Sequence, residues 1–105
     1  MSMPMAQEAQ TRTEAVLGAA AQELRVSERD LMKQALHTLL KRRLREINVQ
    51  IFEITGRYRV SSVEEMEARY REGALEEADS WRDLQRLDHL EYKRDRLSEL
   101  LEALV

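Results

Sequence analysis

Residues 36–58 read LHTLLKRRLREINVQIFEITGRY, and the spacing of their apolar side chains decides the fold class. Leu36, Leu40, Leu44, Ile47, Ile51, Ile54 and Tyr58 follow one another at steps of three or four residues. Such steps keep side chains on one face of an α-helix. From Leu44 onward the steps alternate 3, 4, 3, 4, the seam of a helix packed lengthwise on another helix. No proline interrupts the stretch, and no glycine occurs before Gly56. A second register, Leu84, Leu87, Leu90, Leu97, Leu101 and Leu104, closes the chain. β-Branched alternation is missing throughout, so no strand competes. The expectation is an all-α protein.

Punctuation between the two registers sets their arrangement. Ser27-Glu28-Arg29-Asp30 has the spacing of a capping box with Asp at its third position, so the long helix starts there and runs to about Tyr58. The Gly56-Arg57-Tyr58-Arg59-Val60 stretch breaks it. Ser61 and Ser62 then cap a short helix through Val63, Met66 and Tyr70, with Gly73 placed as the residue just past its end. An acidic connection, Glu76-Glu77-Ala78-Asp79, leads to Asp79 or Ser80 as the cap of the last helix. One helix over residues 28–104 would be about 115 Å long at ~1.5 Å per residue. The breaks predict instead an antiparallel helical hairpin with the short helix at its tip.

Ahead of the hairpin, Thr13 is the expected cap of a short N-terminal helix to about Arg25. Val16, Leu17, Ala20, Ala21 and Leu24 lie on one face of it. Gly18 within it costs roughly 1 kcal/mol against alanine. Residues 1–12, which hold the only proline, are expected as a disordered tail, leaving residues 13–105 as a single domain.

Composition narrows the function. The chain has 105 residues, no cysteine and 35% charged residues. Without cysteine there are no disulfides or thiolate metal sites, which suits a cytoplasmic location. No signal peptide or membrane span is read. The net charge of −3 hides a split: residues 1–60 carry ten Lys/Arg against seven Asp/Glu, and residues 61–105 carry seven against thirteen. The basic excess gathers in Lys41, Arg42, Arg43 and Arg45, a candidate nucleic-acid contact through counterion release. The reading preferred over it is self-complementation of the opposed halves, within one chain or between two.

Chemistry-bearing patterns are sparse. His37 and His89 have no partner at metal-ligand spacing, the three glycines are isolated, and no nucleophile stands with a base. No enzyme, cofactor or metal is expected. Trp81 stands out as an anchor. It either closes the hairpin against Ile51 or Ile54 or inserts into a partner, with Glu76, Glu77 and Asp79 beside it.

Two resemblances add to this reading. Residues 20–36, AAQELRVSERDLMKQAL, look like the helix-turn-helix portion of small regulators and the paired helices of ribbon-helix-helix antitoxins. More broadly, residues 27–104 combine GRYRVSSVEEME at positions 56–67, Gly73, Asp79-Ser80-Trp81 and Asp88-x-x-Glu91-Tyr92. This is similar to small bacterial and archaeal helical proteins that look like antitoxins encoded beside a small toxin. The resemblance implies neutralisation of a toxin by direct binding, with the C-terminal half covering it. A homo-oligomer is expected, and the alternatives are a DNA-binding regulator acting through residues 20–45 or a dimerising helical scaffold.

Overall fold

The computed structural model describes residues 5–75 and 80–105, and all regular structure among them is α-helical. Helix α1 spans Met5–Leu24, α2 Glu28–Tyr58, α3 Val63–Arg71 and α4 Ser80–Leu104. The chain divides into two compact units, one ending at Thr38 and the other beginning at Leu39.

The first unit contains α1 and the opening turns of α2. Helix α1 begins eight residues before Thr13, so residues 5–12, expected in the tail, are helical. Local chemistry explains the extension. The added turns carry Ala and Gln, both good helix formers. Thr11 and Thr13 do not cap. Their hydroxyls donate to the carbonyls of Gln7 and Ala9, each 2.9 Å away, one turn back in the same helix. Ala21 is buried and Leu17 and Ala20 are half-buried, whereas Val16 and Leu24, expected on the same face, are exposed. At Gly18 an added Cβ would lie 2.9 Å from Glu28 Oε1, so the glycine leaves room for a side-chain carboxylate at the start of α2.

Helix ends follow the local signals closely. Ser27 Oγ accepts from the Asp30 N–H (3.0 Å), and Ser62, in extended backbone, accepts from the Glu65 N–H (3.2 Å). Helices α1, α2 and α3 all end alike, with a left-handed residue and a six-to-one backbone bond behind it. The left-handed residues are Arg25 (φ 57°), Arg59 (φ 54°) and Gly73 (φ 74°). The bonds are Val26 N–H to Ala21 O, Val60 N–H to Thr55 O and Ala74 N–H to Arg69 O, each 3.0 Å. Only the third uses the glycine that this geometry favours.

In the second unit, α2 and α4 run antiparallel. Arg57 and Tyr58 reach Asp83, Gln50 meets Arg86, and Arg43 and Ile47 share a shallow groove with Lys93 and Leu97. Residue numbers rise along one helix as they fall along the other, which is the expected hairpin. Its core holds Ile47, Ile51, Ile54, Tyr58 and Val60, closed by Met66 from α3 and by Leu84, Leu87 and Leu90 from α4. Burial follows the two apolar registers only near the tip. Leu40, Leu44, Leu97, Leu101 and Leu104 are half-buried, and Leu36, in the first unit, is half-exposed.

Candidate protein-binding surface

The tip is held by a polar network that the apolar registers do not announce. Asp83 lies on the buried stripe of α4, four residues before Leu87 and seven before Leu90. A carboxylate there requires partners. Tyr58 Oη donates to Asp83 Oδ2 at 2.5 Å, and Arg57 Nη1 donates to the same oxygen at 2.8 Å. The Asp83 carboxylate holds the Arg57 guanidinium above its usual pKa, mainly by charge attraction and then by the hydrogen bond.

Helix α3 is tied down by a second set of bonds. Arg69 Nη1 donates to the Tyr58 carbonyl (3.0 Å), which terminates α2, and Arg69 Nη2 pairs with Glu65 (2.9 Å). Glu65 Oε2 accepts from both the hydroxyl and the N–H of Ser61 (2.7 and 2.8 Å). Those bonds, the hydroxyl one first, lower the Glu65 pKa, with Arg69 adding to the effect. From α4, Glu91 Oε2 accepts from the Val63 N–H at 2.6 Å. This satisfies a free amide at the positive end of the α3 dipole. Met66, fully buried, fills the space beneath.

On this base stands Trp81. It is half-exposed, and its ring packs on Tyr70 of α3 with centroids 5.4 Å apart and planes tilted by 44°. The aromatic partner of Trp81 is thus Tyr70 of α3. Ser80, just before it, is buried, so the start of α4 is seated while the indole faces outward. Glu76, Glu77 and Asp79, expected beside it, lie outside the described residues.

The basic cluster is split by the helix. At about 100° per residue, Lys41, Arg42 and Arg45 share the arc of α2 turned away from Ile47, Ile51 and Ile54. Arg43 instead turns toward the groove with Lys93 and Leu97 and pairs with Glu46 (3.4 Å). Lys41, Arg42 and Arg45 have no ion-pair partner among the described residues. Both histidines are exposed, and no group of three or more His, Asp or Glu able to hold a metal occurs among the described residues.

Sequence reasoning missed two features. One is the Arg57–Tyr58–Asp83 cluster, which the step from Asp83 to Leu87 and Leu90 signalled by placing a carboxylate on an apolar stripe. The other is an apolar patch on the outer arc of α2, where Val49 and Phe52 are exposed between Arg45 and Glu53. Its signal was two large apolar residues three apart but out of phase with the Ile47–Ile51–Ile54 seam.

These features define a small all-α hairpin protein with a half-exposed tryptophan packed on a tyrosine at its tip. Its family follows from the sequence as a whole. The chain belongs to the Uncharacterized protein MJ0235 family, whose sequence model matches residues 5–105. No curated protein and no solved structure matches it.

Proposed function

We propose that the protein acts by binding another protein through the hairpin tip, as an antitoxin covers its toxin. The observation that carries this reading is Trp81: an indole half in solvent and backed by Tyr70, two residues before the hydrogen-bonded Asp83. Tryptophan, tyrosine and arginine dominate interface energetics when a partner excludes water from them. Packing on Tyr70 restrains the indole and reduces the side-chain entropy lost on binding. The acidic stretch through Glu76, Glu77 and Asp79 adjoins Trp81 in sequence and would match a basic partner surface, speeding association and setting register. On the resemblance read from residues 27–104, the proposed partner is a small toxin. The absence of cysteine is consistent with a cytoplasmic setting, and no helix among the described residues is long and apolar enough to cross a membrane.

The test is affinity purification of the tagged protein from its own cells, beside a Trp81→Ala variant. A stoichiometric small protein should co-elute with the wild type. The variant should bind it at least about 30-fold more weakly, the equivalent of a ~2 kcal/mol hot spot. A variant that binds normally and loses only thermal stability would remove Trp81 from the interface.

One observation favours a second reading, contact with nucleic acid: Lys41, Arg42 and Arg45 share one arc without ion-pair partners among the described residues. Binding of this kind weakens steeply with salt. Reversing Lys41 and Arg42 to glutamate should abolish it, and a gel shift indifferent to both changes would exclude this reading.

A further inference from the structure

The outer arc of α2 carries a pattern that no contact among the described residues uses. Phe52 is 76% exposed and Val49 58% exposed, and together with Arg45, Asn48 and Glu53 they line a shallow, mostly apolar depression. Neither Arg45 nor Glu53 has an ion-pair partner among the described residues, unlike Arg43, Arg57, Arg69, Arg71, Arg94 and Arg96. Each stands four residues from Val49, about 6 Å along the axis in opposite directions. Further along, Gly56 stands in the last turn of α2, and beyond its chain neighbours and the adjoining helix backbone no described atom lies within 4 Å of where its Cβ would be. Packing among the described residues does not demand the glycine.

We propose that this arc is a self-association surface, on which α2 of a second copy lies antiparallel across a two-fold axis at Val49. The argument is charge complementarity under that symmetry. Turning one copy end for end about Val49 brings each Arg45 opposite the other copy's Glu53, so both ion pairs form at once. Val49 then meets Val49, and Phe52 lies along the aliphatic stem of the opposing Arg45, a favourable seat for a ring beneath a guanidinium. In the same register Gly56 faces Arg42 of the second copy, and the bare backbone admits that long side chain. An isologous contact requires one patch to be complementary to itself, and this one is.

A few turns of paired helix bury less than the ~1,000 Å² of a stable interface, so the dimer forms weakly, at about 10–100 μM. The surface lies on α2 away from Trp81, and the proposal is independent of the partner-binding role.

Sedimentation equilibrium across the micromolar to millimolar range tests it. The wild type should show a monomer–dimer equilibrium. Arg45→Glu and Glu53→Arg should each weaken it about tenfold, because two attractive pairs become two repulsive ones. An equal mixture of the two variants should associate again, since every mixed contact restores opposite charges. In this cysteine-free chain, Val49→Cys should oxidise readily to a disulfide dimer, whereas Gln85→Cys on α4 should not. If either charge variant alters the helical signal, Phe52→Ala carries the same expectation of weaker dimer. A wild type that stays monomeric, a dimer indifferent to these changes, or a mixture no tighter than its components would each overturn the proposal.

Discussion

Breaking the Tyr58–Asp83 contact should loosen the tip, and the size of the effect can be worked from the geometry. Tyr58 is buried, and its hydroxyl donates over 2.5 Å to a carboxylate that is itself only 11% exposed. Hydrogen bonds to charged groups contribute about 1.5–3 kcal/mol when water is excluded. The Arg57 side chain is 52% exposed, so its ion pair with Asp83 is screened and adds little. Most of the coupling should therefore belong to the tyrosine. Tyr58→Phe should destabilise by about 1.5 kcal/mol and Asp83→Ala by about 2–3 kcal/mol, with a coupling near 1.5 kcal/mol in the double-mutant cycle. Trp81, the sole tryptophan, lies two residues before Asp83, so its fluorescence reports on this unit. With a urea slope near ~1.5 kcal/mol/M, the coupling corresponds to a midpoint shift of about 1 M. A coupling below about 0.5 kcal/mol would show that the hydrogen bond does not hold the tip, and the account of Asp83 would fail.

Three further outcomes follow from the same structure. Leu87 is fully buried in the hairpin core, and Leu87→Ala should cost about 2–5 kcal/mol in chemical denaturation, against under 1 kcal/mol for Leu100→Ala at the half-exposed end. Arg59 holds a left-handed conformation at the end of α2, so Arg59→Gly should raise stability by up to about 1 kcal/mol, visible as a higher melting temperature. Glu65 has a folded pKa below its ordinary value of 4.5. Its contribution is complete above that value and is lost as pH falls through the lowered one. The melting temperature should therefore drop on acidification below about 4.5, less steeply in Glu65→Gln.

Much of this fold is written locally. The three-and-four spacing of Leu44 to Tyr58 makes a helix with one apolar face wherever it sits. Ser27 and Ser62 accept from N–H groups three residues ahead of them, and Gly73 takes the left-handed turn for which it is suited. These signals act within a few residues, and they place α2, α3 and their ends. Even the helical start of α1 at Met5 is local, the work of good helix formers where a frayed tail was expected.

What the tertiary structure alone decided concerns which surfaces meet. Periodicity groups Leu36, Leu40 and Leu44 with Ile47, Ile51 and Ile54, but burial depends on the opposing elements, and only near the tip do α3 and α4 together close over the stripe. Trp81 is marked in sequence as an anchor, yet its stacking on Tyr70 requires α3 to return beside the start of α4. Asp83 looks like one surface carboxylate among thirteen in the C-terminal half until α2 brings Tyr58 and Arg57 to it. Local chemistry determines that this chain is helical and where its helices end. The desolvation of particular side chains is set by neighbours 25 or more residues away, and it alone makes Asp83 a structural tie and leaves Phe52 in water.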